Sequence, residues 1–106
     1  MPIHVQEILN EVKSQLQILY GKKLRDVFLF GSYARKEADN ESDVNVLIVI
    51  EDLGRYSQEV GKTSALISSL SLKYGVSISR VFVSESDWVG GDSPFLLNVR
   101  DEAISA

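Results

Sequence analysis

Apolar residues in this chain recur in two helix-like stripes. In each stripe they fall at steps of three, four or seven residues, which is typical of one buried face of an amphipathic helix. The first stripe should end near Gly21, and Gly75 is placed to end the second. The members of the first stripe are Ile8, Leu9, Val12, Leu16, Leu19 and Tyr20, and those of the second are Val60, Ile67, Leu70 and Tyr74.

Three other segments carry continuous apolar runs, which predict buried strands. The first is Val27 to Phe30, stopped by Gly31, and the third is Val76 to Val83. The second, Val44 to Ile50, is rich in β-branched residues and apolar on both faces, so we expect it to be central in its sheet. The polar segment 36–41 between the first two runs predicts an exposed turn.

Near the end of the chain, the sequence predicts a short turn and a last helix. Ser84 can cap a turn that runs through Trp88, and Ser93-Pro94 can open a helix that carries Phe95, Leu96 and Val99. The predicted order is helix, strand, strand, helix, strand, helix. It indicates a single α+β domain over residues 1–106, with helices packed on a small mixed β-sheet.

Composition excludes several classes of function. The chain has 106 residues, 15 acidic and 11 basic, and its net charge of −4 argues against a nucleic-acid-binding surface. It has no cysteine, which excludes disulfides, thiolate catalysis and zinc–thiolate sites. No signal-peptide core opens the sequence, and the longest apolar run, Val46 to Ile50, is too short to cross a membrane. We therefore expect a soluble, cytoplasmic protein.

The turn after the first strand has the residues of an anion site. Gly31 follows the strand directly, and Ser32-Tyr33-Ala34-Arg35 has the composition of a helical first turn. A helix start presents unpaired N–H groups that suit a phosphate, glycine permits close approach, and Ser32 and Arg35 add a hydroxyl and a cation. The alternative is a plain strand-to-helix turn that Ser32 caps.

The start of the second strand is the other candidate for chemistry. Asp43 and Asn45 fall on one strand face because side chains alternate. Two carboxylates so placed can hold two Mg²⁺ ions about 3.5–4 Å apart for phosphoryl-type transfer. Only Asp43 is acidic here, and Ser42-Asp43 can also be read as a polar turn. A buried Asn45 amide needs partners, which predicts a polar cavity at this strand.

Together these residues resemble a known family. The chain resembles the minimal nucleotidyltransferases of the DNA polymerase β-like superfamily in two segments, with ten residues between Ser32 and Asp43. The segments are Leu29-Phe30-Gly31-Ser32-Tyr33-Ala34-Arg35 and Ser42-Asp43-Val44-Asn45-Val46-Leu47-Ile48-Val49. The resemblance implies transfer of a nucleoside monophosphate from a nucleoside triphosphate to a hydroxyl, with Mg²⁺ as cofactor. It implies that Gly31 and Ser32 hold the triphosphate and that Asp43 is the first metal ligand. Arg35 is a further candidate for binding phosphate, with a merely solvated side chain as the alternative.

Two of the three acids in the family pattern are missing. Asn45 stands in place of the second, and the third belongs on the following strand, where Ser77 or Ser79 is the equivalent. One charge at about 4 Å is worth roughly 4 kcal/mol at an effective dielectric near 20, and a general base contributes about 10²- to 10⁴-fold in rate. An Asn oxygen can still ligate Mg²⁺, so Asn45 is a weakened ligand. Glu41, Glu51 and Asp52 are alternative acids, the latter two at the far end of the strand.

The resemblance supports two functional hypotheses. In the first, the chain is a catalytically weakened, antitoxin-like partner of a HEPN-type protein and acts mainly by association. In the second, it is an active Mg²⁺-dependent nucleotidyltransferase that modifies a hydroxyl on a protein or small molecule. A chain of 106 residues has no room for a separate acceptor-recognition domain, which favours a complex with another protein or an oligomer.

Four further residues have open interpretations. Arg80 interrupts an apolar strand and can pair either with Asp43, replacing a metal, or with a surface acid. Trp88 and Phe95 are candidate core anchors, with a partner-binding surface as the alternative. His4, the only histidine, is interpreted as a surface residue rather than a base.

Overall fold

The computed structural model of the protein describes residues 5–39 and 42–106. His4 and Glu41, discussed above, lie outside these residues. Four helices and four strands are formed, with bounds as follows: α1 Val5–Tyr20, β1 Leu24–Phe30, β2 Val44–Ile50, α2 Tyr56–Tyr74, β3 Ile78–Ser84, α3 Glu85–Gly90, α4 Pro94–Glu102 and β4 Ile104–Ser105.

The strands form one mixed sheet in the order β3-β2-β1-β4. β2 is antiparallel to β1 and parallel to β3, while β4 adds to the free edge of β1 in antiparallel orientation. β2 is therefore internal, as its two-sided apolar pattern predicts, and six of its seven residues are buried. The predicted α+β fold with helices on a small mixed sheet is confirmed.

The helices cover the two faces of this sheet separately. α1 and α2 pack on the face that carries Val27, Val46 and Ile48. The shorter α4 packs on the opposite face, where Leu47 and Val49 meet its buried residues Leu96 and Val99. Side chains alternate along β2, so Asn45 shares the α4 face with Leu47 and Val49.

Capping residues act where the sequence places them. Gly75 ends α2 in the left-handed conformation with φ of 65°. Ser84 accepts a hydrogen bond from the Asp87 N–H at the start of α3, and Ser93 accepts one from the Leu96 N–H at the start of α4. These contacts satisfy N–H groups that the first turn of a helix leaves unpaired.

Three strand predictions differ from the structure. β3 begins at Ile78 rather than Val76, because the Val76 N–H still donates to the Ser71 carbonyl, 3.1 Å away, and closes the end of α2. β1 begins earlier than expected, at Leu24, and its polar start contains a register shift against β2. β4 was not predicted, because a two-residue strand carries no periodicity.

Trp88 and Phe95 both contact phenylalanines of β1. The Trp88 ring lies 4.7 Å from that of Phe28, and the Phe95 ring lies 5.7 Å from that of Phe30. The core-anchor interpretation therefore holds for Trp88, whereas Phe95 keeps 43% of its surface exposed. Within residues 5–39 and 42–106, every helix falls short of the length and apolar character that crossing a membrane requires.

Candidate functional site

The end of β1 and the start of β2 bring the two sequence motifs together. Phe30, the last residue of β1, pairs with Asn45 in the antiparallel ladder. Gly31 therefore turns directly beside Asn45, and Asp43 lies two residues before Asn45, just ahead of the first residue of β2. Asp43 is exposed and Asn45 is half-buried.

Gly31 has a conformation that favours glycine, and it lies close to the side chain of Asn45. Its φ is +81°, in the left-handed region that side chains disfavour. A Cβ built on Gly31 would collide with Nδ2 of Asn45. The missing side chain thus makes room for the Asn45 amide, and the two motifs are in direct contact.

The residues after Gly31 form a single turn, so the predicted helical start is wrong. The Arg35 N–H donates to the Gly31 carbonyl at 3.1 Å, and the Glu37 N–H donates to the Ser32 carbonyl at 2.8 Å. Lys36 then has φ of 60°, which ends the turn. Because no helix follows, a helix dipole contributes nothing here, and an anion at this turn depends on individual donors.

Asp43 also lines a surface hollow of about 470 Å³, at the end of α2 and the start of β3. The residues around it are Ser42, Asp43, Ser71, Leu72, Gly75, Val76 and Ser77. Gly31 and Ser32 do not belong to this lining. Asp43 thus belongs to the α2–β3 hollow, and it adjoins the Gly31–Asn45 contact only through its two-residue separation from Asn45.

The parallel pairing of β2 with β3 identifies the neighbours of the two candidate ligands. Ser79 lies opposite Asn45 in the ladder. The Ser77 carbonyl accepts a hydrogen bond from the Val44 N–H at 2.8 Å, which places Ser77 next to the Asp43–Val44 segment. Two neutral side chains, Asn45 and Ser79, therefore stand side by side on the α4 face of the sheet.

The side chains of Asp43, Asn45 and Ser79 do not fit a centre that binds two metal ions. Within residues 5–39 and 42–106, no group of three or more His, Asp or Glu is placed to hold a metal ion. Asp43 supplies one carboxylate and Asn45 a neutral amide, whereas Mg²⁺ sites of transferases rely on carboxylates and substrate phosphates. Glu51 belongs to the other end of β2, where it forms an ion pair with Arg25 at 3.4 Å.

Glu102, the last residue of α4, is a site residue that sequence reasoning missed. Its carboxylate accepts a hydrogen bond from the Gly31 N–H. Nη1 of Arg35 donates to the same carboxylate at 3.0 and 3.2 Å. No motif marks Glu102, because its position depends on how α4 packs across the sheet.

Arg35 is held between two acids. Besides Glu102, it donates from Nε to Glu37 at 3.1 Å. The hydrogen bond that Arg35 donates to Glu37, followed by the negative charge of Glu102, raises the pKa of the Arg35 guanidinium above its ordinary value. The cation predicted as a phosphate ligand is thus engaged by carboxylates.

Arg80 points away from this site. It lies on the α2 face of the sheet, where Nε donates to the Thr63 hydroxyl at 2.6 Å and Nη2 donates to the Val60 carbonyl at 2.7 Å. Nη2 also lies 3.2 Å from the Ser64 hydroxyl. The suggested pairing of Arg80 with Asp43 is therefore wrong, and Arg80 instead joins β3 to α2.

Comparison with known proteins agrees with the motif. The nucleotidyltransferase domain family matches residues 5–86. "Putative protein adenylyltransferase MJ0141" of Methanocaldococcus jannaschii is 37% identical over 84 residues, which cover 79% of this chain and 84% of that protein. "Protein adenylyltransferase MntA" of Thermococcus cleftensis is 37% identical over 49 residues, 46% of this chain and 48% of that protein.

Solved structures resemble the whole chain. One described as "Structure of putative minimal nucleotidyltransferase" is 30% identical, with a TM-score of 0.59 over 98% of this chain and 95% of that one. A toxin–antitoxin crystal structure with AMP-PNP has a TM-score of 0.64 over 91% of this chain and 69% of that one, at 17% identity. The second likeness concerns the fold alone. Motif, sheet order and family match coincide, and the chain belongs to the nucleotidyltransferase domain family, with the fold of a minimal nucleotidyltransferase.

Proposed function

We propose that this chain is an antitoxin-like nucleotidyltransferase-fold protein that neutralises a HEPN-type partner chiefly by binding it. Its catalytic power would be weakened or lost. The observation that carries the proposal is the register of Asn45 with Ser79, two neutral residues at neighbouring positions where the family resemblance expects acids. Asp43 is the remaining carboxylate of the motif.

The electrostatic cost of this arrangement is large. Replacing one carboxylate by an amide at about 4 Å from a metal removes roughly 4 kcal/mol at an effective dielectric near 20, or about a thousandfold in rate if it acts fully in the transition state. Ser79 is also a poor general base, since its hydroxyl does not ionise near neutral pH. A protein that works by association needs neither group.

The proposal of a HEPN-type partner is based on solved structures of the same fold. One solved structure of the fold is described as the toxin–antitoxin MntA–HepT, with a TM-score of 0.58 over 94% of this chain and 15% identity. At that identity the likeness supports the fold, and the pairing with a HEPN-type protein in the cytoplasm is our inference. Self-association of the chain into a homo-oligomer is the other association that we propose.

One observation favours an active enzyme as the second candidate. Asp43 is exposed beside a hollow of about 470 Å³, so an incoming ligand can reach its carboxylate. A relative 37% identical to this chain carries the name of a protein adenylyltransferase. In this alternative, Asp43 and the Asn45 oxygen would hold a single Mg²⁺, with a nucleoside triphosphate at Gly31, Ser32 and Arg35.

Transfer of label from ATP separates the two candidates. The chain is incubated with Mg²⁺, α-labelled ATP and the HEPN-type protein encoded beside it. We expect the wild type to bind the partner and transfer no more label than Asp43→Asn. Asn45→Asp restores a carboxylate and should raise transfer, by up to about a thousandfold if the scaffold is otherwise intact.

The matched control is Asn10→Asp, which makes the same substitution at an exposed position of α1 on the far face of the sheet. It should leave transfer unchanged. Strong labelling of the partner by the wild type, abolished in Asp43→Asn, would reject association as the main activity and establish the enzyme instead.

A further inference from the structure

The Gly31 turn already holds an anion supplied by the chain itself. The Glu102 carboxylate accepts from the Gly31 N–H and from Nη1 of Arg35, at 3.0 Å for the nearer oxygen. The Glu102 side chain is 20% exposed, against 44% for Arg35. The contact is therefore partly shielded from water, and charge-assisted hydrogen bonds of this kind are the stronger ones.

The donors around Glu102 are those that a phosphate would use. A backbone N–H at a glycine turn and a guanidinium bind carboxylate and phosphate oxygens with similar geometry. The Gly31 N–H has one hydrogen and cannot serve Glu102 and a ligand at full strength together. A polyphosphate at this turn must compete with Glu102 for both donors.

Glu102 is placed by anchored segments on both sides. Before it, α4 buries Leu96 and Val99 against the sheet. After it, β4 pairs with β1, with Ile104 opposite Leu29, and the Ala106 N–H donates to the Val27 carbonyl at 2.9 Å. The carboxylate is held at the turn by the packing of the α4–β4 segment rather than by chance surface contact.

We propose that Glu102 is an intramolecular anion that blocks the Gly31 turn against phosphate, an autoinhibitory contact that opens only when the Glu102 side chain leaves. The proposal rests on the second candidate of the proposed function, in which Gly31, Ser32 and Arg35 bind the nucleotide phosphates. It adds that the Glu102 carboxylate lowers the affinity of the Gly31 turn for phosphate. Opening requires a rotation of one side chain and breaks its bonds to Gly31 and Arg35.

Binding of inorganic tripolyphosphate, a probe without a base or ribose, tests the contact by calorimetry. Glu102→Gln keeps the length of the side chain but removes its charge, so it competes weakly with phosphate. We expect tripolyphosphate to bind Glu102→Gln roughly tenfold or more tightly than the wild type, because the strong competing acceptor is gone.

Two controls remove the same charge elsewhere. Glu37→Gln takes away the other carboxylate on Arg35 but leaves Glu102 on Gly31, and Asp101→Asn alters the exposed neighbour on α4. Each should change the affinity by less than about threefold, since neither frees the Gly31 N–H. Equal gains in all three variants would mean general electrostatics and would overturn the contact, as would no gain in Glu102→Gln.

A second measurement uses the wild type, so it does not depend on how the variant folds. In a ¹H–¹⁵N spectrum, saturating tripolyphosphate should move the Gly31 amide signal, because this N–H exchanges the Glu102 carboxylate for a phosphate oxygen. An unchanged Gly31 signal would overturn the proposal. Binding of the HEPN-type partner to the wild type and to Glu102→Gln is measured in parallel. Loss of that binding would count against the proposed function and leave the Glu102 result to stand separately.

Discussion

At the scale of single residues, the site is organised by the contact between Gly31 and Asn45. The amide of Asn45 occupies the space that any side chain at position 31 would need. The polar surroundings predicted for Asn45 consist of the backbone turn at Gly31 and of Ser79 on the neighbouring strand. The Gly31 turn and the start of β2 are in contact, so a substitution at Gly31 should displace the Asn45 side chain.

Gly31→Ala tests this coupling through stability. Alanine at φ of +81° is strained, and its Cβ would push against the Asn45 amide. We expect the free energy of unfolding, measured by urea denaturation, to fall by about 2 kcal/mol or more.

Gly61→Ala is the matched control for this change. Gly61 lies within α2, where a Cβ meets nothing within 4 Å. The same substitution should stabilise the protein there by about 0.5–1 kcal/mol. If Gly31→Ala were also neutral or stabilising, the close Gly31–Asn45 contact would not exist as described.

At the scale of elements, pattern and capping signals predicted most of the fold. β2 is recognised from its continuous apolar run, and the ends of α2 and the starts of α3 and α4 follow from Gly75, Ser84 and Ser93. The turn after Gly31 was misread as a helix because Ser-Tyr-Ala-Arg suits both. Lys36 stops it after one turn, and no sequence rule forces a lysine into that conformation.

Contacts between distant elements could not be predicted from local pattern. Arg80 interrupts β3 and was open to several interpretations, and only the packing of α2 on β3 decides among them. Glu102 reaches the Gly31 turn across 71 residues of sequence. The hydrogen-bond partners of Arg80 and Glu102 depend on tertiary packing. The periodicity of apolar residues along the sequence carries no information about such partners.

Arg80→Met tests the link between β3 and α2. It keeps an unbranched side chain but removes the hydrogen bonds to Thr63 and to the Val60 carbonyl. We expect a loss of about 1–2 kcal/mol in the free energy of unfolding.

Arg25→Met is the corresponding control at an exposed position of β1. Arg25 forms ion pairs with Glu51 at 3.4 Å and Glu85 at 3.5 Å, and its side chain is 39% exposed. Such surface pairs contribute little, so the change should cost less than about 1 kcal/mol. Equal losses in both variants would remove the special structural role given to Arg80.

At the scale of the whole molecule, a nucleotidyltransferase fold is combined with an acid-poor centre. The mixed sheet places the Gly31 turn, Asp43 and Asn45 at one end. At the same end, Ser79 stands beside Asn45, and Glu102 occupies the turn. This acid-poor end of the sheet is the basis of our proposal that the chain acts by association.

The most direct test of this account is the intact mass of a HEPN-type partner co-expressed with the wild-type chain and with Asp43→Asn. The account predicts that both versions neutralise the partner equally and that it is recovered in complex with its mass unchanged. A partner that gains the mass of AMP with the wild type, and that escapes both modification and neutralisation with Asp43→Asn, would contradict it.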